Sequence, residues 1–106
     1  MKKLILASAV VFGAISSGQV MAADAAAGKA KYDAVCASCH GAAGKAPIMP
    51  TYPKLAGQNA AYLELAIKAY KAGERSSANA AAMVAMAGML ATDDDIANVA
   101  AYLSEQ

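Results

Sequence analysis

The pattern of apolar and polar positions after residue 22 predicts helices. In two stretches, apolar residues recur at the three- and four-residue spacing of one helix face. The first stretch, roughly Ala25 to Cys36, follows Asp24, which can act as an N-cap. The second stretch, Asn59 to Ala72, is followed by Gly73, a residue typical of the position just after a helix. Each stretch is therefore predicted to be an amphipathic helix.

The last helix has the clearest predicted beginning. Thr92 is a suitable N-cap, and Asp95 stands at the N3 position of a capping box. Three consecutive aspartates from residue 93 also suit the positive end of the helix dipole. The predicted buried face is Ile96, Val99, Ala100 and Leu103. The preceding residues 76–90 are rich in alanine and methionine and have room for a short helix, so the sequence predicts an all-α domain.

Residues 41–57, between the first two predicted helices, form a long irregular segment. Glycines and prolines interrupt any regular element along its whole length. Long loops inside so small a domain are usually functional or disordered. Wrapping a large cofactor would explain this one.

The first 22 residues have the pattern of a secretory signal peptide. Lys2 and Lys3 provide a basic start, Leu4 to Ile15 is apolar, and small residues near Ala22 suit cleavage. A membrane anchor is the alternative, but the apolar run is shorter than the roughly 20 residues that span a bilayer. We therefore expect cleavage of residues 1–22. The mature domain, residues 23–106, should be a soluble periplasmic protein without stable membrane insertion.

The charge balance argues against one class of partner. The whole chain has nine basic and eight acidic residues, and removal of Lys2 and Lys3 leaves a mature net charge of −1. The sequence contains no basic patch interleaved with aromatic residues, so we expect no nucleic-acid partner. A mature domain of 84 residues that is rich in alanine has a thin core. Such small domains often need a cofactor or a cross-link for stability.

The candidate chemistry is concentrated in the run Cys36-Ala37-Ser38-Cys39-His40. Its Cys-x-x-Cys-His spacing is the attachment pattern of a c-type haem. A structural zinc site needs four ligands, but the chain has no further cysteine or histidine. A thioredoxin-like pair expects a βαβ context, which this pattern does not provide, and a plain disulfide leaves His40 unexplained. The motif therefore predicts one covalent haem c, with His40 as the proximal iron ligand.

The surroundings of the iron follow in part from the same reasoning. The Nδ1–H group of His40 should donate to a carbonyl in the proline-rich loop, and Pro50 is the candidate. Because the chain has no second histidine, the far axial position is taken by a methionine or a lysine, or is open. Four methionines follow the motif: Met49, Met83, Met86 and Met89. The first is too near His40 to cross the ring, whereas the other three have enough intervening chain.

Several stretches of the mature chain carry a further indication. They are CASCHG at 36–41, YPKLAGQ at 52–58, Tyr62-Leu63, KAGER at 71–75 and DDDIANVAAYL at 93–103. Together they resemble a class I cytochrome c, in particular the small soluble monohaem cytochromes c-553 and the haem domain repeated in dihaem cytochromes c-4. The resemblance implies three to five helices wrapped around one covalent haem. It also implies that the first and last helices cross, with Gly28 and Tyr32 against Val99 and Tyr102.

The resemblance also implies roles for individual residues. In that family the two motif cysteines, here Cys36 and Cys39, bind haem, and a methionine shortly before the last helix is the sixth ligand. Counting forward from the KAGER stretch assigns this role to Met83, whereas counting back from the last helix allows Met86. Many relatives have a proline near this methionine, and only alanines stand there in this chain. Arg75 is a candidate to neutralise a haem propionate, and a solvated arginine is the competing interpretation.

The implied function is electron transfer, without enzymatic activity. The iron, held by His40 and a methionine, would carry single electrons between membrane or periplasmic redox proteins. The carrier itself would be a monomer or a homodimer. Two alternatives stay open. A haem protein with an open sixth position would act as a peroxidase or gas sensor, and a Cys36–Cys39 disulfide without haem would hold an interaction module.

Overall fold

The computed structural model describes residues 22–106, which form five α-helices and no strand. In chain order the helices are α1 (Ala25–Val35), α2 (Ala37–His40), α3 (Ala60–Lys71), α4 (Ala81–Ala87) and α5 (Asp93–Ser104). A 3₁₀ turn at Ala42–Gly44 follows α2, and another at Ala78–Ala80 leads into α4. The all-α prediction is confirmed. The predicted signal peptide lies outside the described residues, apart from Ala22.

Side-chain caps fix the beginnings of the first and last helices. The carboxylate of Asp24 accepts hydrogen bonds from the backbone N–H groups of Ala26 and Ala27. The hydroxyl of Thr92 accepts from the Asp95 N–H group, and the Asp95 carboxylate accepts from the Thr92 N–H group. Both predicted N-caps are therefore confirmed. They satisfy backbone donors that the first turn of a helix leaves without partners.

Helices α1 and α5 cross at direct backbone contact. A Cβ atom added to Gly28 would lie only 1.9 Å from the carbonyl oxygen of Asn98 and 2.9 Å from the nitrogen of Val99. Only a residue without a side chain allows so close an approach. The Asn98 side chain also accepts a hydrogen bond of 2.8 Å from the Asp24 N–H group. The predicted contact of Gly28 with the last helix is therefore confirmed.

Two tyrosines close the same interface. The rings of Tyr32 and Tyr102 lie 5.6 Å apart, centroid to centroid, at an interplanar angle of 50°. This tilted arrangement is favourable for aromatic pairs. The surrounding core consists of Leu63, Leu90, Ile96, Val99, Ala100 and Leu103. α5 contributes most of this core, and α3 packs against it as well as against α4.

The long glycine- and proline-rich segment is closed by hydrogen bonds within itself and is attached to α5 at its C-terminal end. The carbonyl of Gly44 accepts hydrogen bonds from the N–H groups of Leu55 and Ala56, which closes the segment into a loop. The Gly57 N–H group then donates to the carbonyl of Leu103 near the end of α5. Among the described residues, no helix has the length and apolarity that a membrane crossing requires.

Candidate functional site

The three motif residues are brought together by a break between two helices. α1 ends at Val35, Cys36 adopts a bent helical conformation (φ −111°, ψ −34°), and α2 begins at the next residue. The N–H groups of Cys39 and His40 both donate to the carbonyl of Cys36. Residues three and four positions apart lie on one face of a helix. The Cys-x-x-Cys-His spacing therefore places both thiols and the imidazole along the same side of the chain.

These residues line a cavity of about 480 Å³. Its wall also includes Met83 and Met86 of α4, which come from a distant part of the chain. The remaining wall is largely apolar and includes Leu63, Ile67, Leu90, Val99 and Leu103. One cavity thus contains two thiols, an imidazole and two thioethers among aliphatic side chains. This set of side chains suits a flat, apolar macrocycle whose metal is bound by soft ligands.

The imidazole of His40 is buried and is held through its Nδ1 atom. The side chain is buried, with 5% of its surface exposed. Its Nδ1 atom lies 3.0 Å from the carbonyl oxygen of Pro53. A proton on Nδ1 donates to this oxygen and leaves Nε2 free to ligate a metal. The Tyr52 ring lies beside the imidazole at 6.1 Å between centroids.

The predicted hydrogen-bond acceptor for the His40 imidazole was wrong, because the observed carbonyl lies three residues further along the loop. Pro50 was the expected partner, whereas Pro53 supplies the carbonyl. The reason lies in the backbone, because the Ile48 N–H group donates to Cys39 and the Tyr52 N–H group donates back to Met49. That turn carries Pro50 past the imidazole, and the chain returns to it three residues later. Pro53 belongs to the YPKLAGQ stretch, which was the available sequence indication.

The Cys36 thiol differs from the reactive cysteine of a thiol redox enzyme. Burial raises the pKa of the Cys36 thiol to about 11, with a further contribution from Cys39. Cys36 is therefore a neutral thiol at neutral pH, unlike the low-pKa cysteine of a thiol redox enzyme. Within residues 22–106, no group of three or more histidine, cysteine or acidic side chains is arranged to hold a metal ion.

The methionines fall into two groups. Met83 and Met86 are half-buried and line the cavity. Met89 follows the end of α4 with 56% of its surface exposed, and Met49 is 46% exposed in the loop. Neither of these two is among the residues that line the cavity. The two methionines that line the cavity are thus the two that the sequence favoured as ligands.

Arg75 lies at the rim of the same cavity. Its guanidinium carbon is 4.4 Å from the centroid of the Tyr70 ring, and both residues line the cavity. A cation over an aromatic face is held by the ring's quadrupole. Tyr70 lies in the last turn of α3. Its position five residues before Arg75, across the end of α3, gives it this additional contact.

Comparison with known proteins gives a consistent result. The family model described as cytochrome c matches residues 25–106. Cytochrome c-554(548) of Halomonas halodenitrificans is 52% identical over 85 residues, covering 80% of this chain and 99% of that protein. Cytochrome c4 of Pseudomonas aeruginosa is 40% identical over the whole chain, which spans only 49% of that relative. Cytochrome c6 of Picosynechococcus sp. is 40% identical over the whole chain and 95% of its own length.

Proposed function

Because the chain belongs to the class I cytochrome c family, whose members bind haem c covalently, we propose that it is a monohaem electron carrier of the His–Met type. Cys36 and Cys39 would form the thioether links, His40 would be the proximal iron ligand and Met83 the distal one. The observation that carries this proposal is the single cavity lined by all four residues. Met86 lines the same cavity and is the alternative ligand.

The chain's own residues account for the properties that a carrier needs. Bound haem supplies reversible one-electron chemistry. The hydrogen bond from His40 to Pro53 fixes the orientation of the imidazole, and the aliphatic wall keeps water away from it. A thioether is a soft, neutral donor that favours reduced iron and raises the potential. Two protein ligands leave no position for a substrate, so we propose an electron carrier without enzymatic activity.

Arg75 is proposed to act on the charge of the site. It lines the cavity, and its contact with Tyr70 restrains the guanidinium at the rim. A cation held there is well placed to offset a propionate carboxylate, which would favour the reduced state of the iron. Its exposure to solvent weakens this effect, because water screens surface charges.

We also propose that the protein works in the periplasm. Residues 1–22 have the basic start, apolar run and small-residue cleavage site of a signal peptide. The family match begins just after them, at residue 25. Single electrons would then pass between this protein and membrane or periplasmic redox proteins. Loss of export after deletion of residues 4–15 is the expected result, measured by fractionating cells and recording the haem spectrum of each fraction.

The ligand assignment is tested with two matched variants. Met83→Ala should abolish the weak far-red absorption band of the iron–thioether bond in the ferric protein, whereas Met86→Ala should keep it. The two side chains are three residues apart on one short helix, so each variant controls for the packing change in the other. The reverse result would assign the ligand to Met86.

Carbon monoxide separates the carrier from the enzyme alternative. A ferrous iron with two protein ligands binds carbon monoxide slowly, because the methionine must first leave. Met83→Ala should bind it rapidly, and the wild-type protein should not. Rapid binding to the wild-type protein, together with an unchanged far-red region in both variants, would instead support an open-site peroxidase or gas sensor. Absence of a Soret band after expression with the haem-attachment machinery would support the disulfide-held module.

A further inference from the structure

The methionine helix α4 is too short to hold itself in place. It has seven residues, Ala81–Ala87, and isolated helices shorter than about 12–15 residues are marginal in water. Ala80 at its N-cap position provides no side-chain hydrogen bond. Gly88 follows it with a φ of −62°, so the left-handed glycine conformation that ends many helices is not used here. The position of α4 therefore depends on contacts with the rest of the fold.

One such contact is a lysine at the end of the neighbouring helix α3. The Nζ atom of Lys71 donates to the carbonyl of Leu90 at 2.7 Å and to the carbonyl of Ala91 at 3.2 Å. These carbonyls belong to the segment that leaves α4 and enters α5. The Leu90 side chain is buried in the core beneath them. Lys71 thus ties the end of α3 to the chain immediately after the methionine helix.

The hydrogen bonds of Lys71 distinguish it from an ordinary solvated lysine on the surface. An ammonium group carries three donors, and two of them are used here. Hydrogen bonds from a charged donor are shorter and stronger than neutral ones. A cation also suits the negative end of a helix, and Lys71 stands in the last turn of α3. Residues 81–91 contain no proline that would stiffen the backbone around the methionines.

We infer that Lys71 is a positioning residue that holds α4 against α3 and thereby keeps the methionine thioether on the iron. This inference rests on the proposed methionine ligation. Lys71 does not touch the metal in this account. It restricts the local opening of residues 83–91 that must precede replacement of the methionine by another ligand.

The test measures local opening in the purified haem protein. Imidazole binds ferric iron only after the methionine has left, so its binding rate reports how often α4 opens. Lys71→Met removes the donor of both hydrogen bonds and keeps most of the aliphatic stem. It should bind imidazole at least about tenfold faster, because about tenfold is the factor expected for loss of even one charge-assisted hydrogen bond. Amide hydrogen exchange of residues 86–91 should accelerate by a similar factor. Lys71→Arg keeps a charged donor and should restore both rates.

Two control variants separate positioning from general effects. Lys68→Met removes the same charge from the exposed surface one turn earlier in α3 and should leave the imidazole rate unchanged. Tyr32→Phe removes the hydrogen bond from the phenol to the Gly41 carbonyl, which lies outside α3, α4 and the segment that joins α4 to α5, and it should also leave the imidazole rate unchanged. A wild-type rate in Lys71→Met, or an equal acceleration in either control, would overturn the inference.

Met83→Ala and Met86→Ala distinguish this result from a failure of the proposed function. If the wild-type protein binds imidazole slowly and one of these variants binds it rapidly, methionine ligation stands, and the Lys71 result decides the positioning role alone. If the wild-type protein already binds as fast as both methionine variants, the proposed ligation fails and the inference fails with it.

Discussion

Gly28→Ala tests whether the crossing of α1 and α5 organises the fold. The added Cβ atom would lie 1.9 Å from the Asn98 carbonyl oxygen, whereas ordinary contacts begin near 3.4 Å. The helices would therefore have to separate by about 1.5 Å at the crossing. The obstacle is backbone, so no change of rotamer can relieve it. Gaps of this size forfeit much of the dispersion energy between the surfaces that had been in contact.

The expected change in the free energy of unfolding is the sum of two opposed effects. Overpacking a tight contact costs about 1–3 kcal/mol, and we take the upper end because the clash is with main chain. Alanine in place of glycine within a helix contributes about 1 kcal/mol in the other direction. The free energy of unfolding should therefore fall by about 2 kcal/mol, which corresponds to a decrease in Tm of about 10 °C for a domain of this size.

Denaturation of the ferric haem protein with guanidinium chloride measures this change. Far-UV circular dichroism and Soret absorbance should give coincident transitions, which supports two-state treatment. Gly88→Ala is the matched control, because Gly88 has a helical φ of −62° and its added Cβ would lie 3.2 Å from the Ala85 carbonyl oxygen, which is only slightly closer than an ordinary contact. It should change the free energy of unfolding by less than about 1 kcal/mol. A Gly28→Ala protein at least as stable as wild type would refute the reasoning.

Two further changes probe the buried tyrosine and the cavity rim. Tyr32→Phe removes the hydrogen bond of 2.6 Å that the phenol donates to the Gly41 carbonyl, and it should lower the free energy of unfolding by about 1 kcal/mol near neutral pH. Burial raises the pKa of Tyr32 to about 12, so wild-type stability should hold below pH 10 and fall between pH 10 and 12, where the unfolded chain ionises first. Tyr32→Phe should lack its share of that fall, and parallel pH–stability curves for the two proteins would contradict this. Arg75→Gln should lower the midpoint potential by roughly 20–50 mV, with Arg75→Lys close to wild type, because one partly screened positive charge is lost. An unchanged potential in cyclic voltammetry would identify Arg75 as a solvated arginine.

Helix boundaries could be predicted from local chemistry. Asp24 and Thr92 each satisfy backbone N–H groups with their own side chains, and Gly73, with a φ of +75°, follows α3 as expected. These interactions involve neighbours in the sequence, so the pattern of residue types was sufficient. The Gly28 contact depends on a distant helix, and its prediction came from the resemblance to a family. The structure supplied the backbone approach that makes glycine necessary there.

The carbonyl that holds His40 could not be predicted in the same way. The loop contains three prolines, and the choice among their carbonyls depends on where the chain turns. The turn from Met49 to Tyr52 carries Pro50 past the imidazole. No residue type near this turn predicts it. Met83 and Met86 posed a related problem. A spacing of three residues puts both side chains on one side of a helix, so both line the cavity. The same spacing is why the sequence could not decide which of the two is the ligand.

The two sides of the proposed iron site therefore depend on different kinds of interaction. Cys36, Cys39 and His40 lie within little more than one helical turn. Hydrogen bonds between near neighbours set their backbone arrangement, and the Pro53 carbonyl orients the imidazole. The methionines sit on a seven-residue helix that relies on α3, including a lysine bonded to carbonyls 19 and 20 residues away. We therefore expect the backbone order on the histidine side to survive small disturbances of the fold, whereas the methionine side requires the α3–α4 contact to be intact. Partial opening of the domain should accordingly release the methionine while the imidazole stays bound, so the distal half of the site sets the stability of the His–Met state.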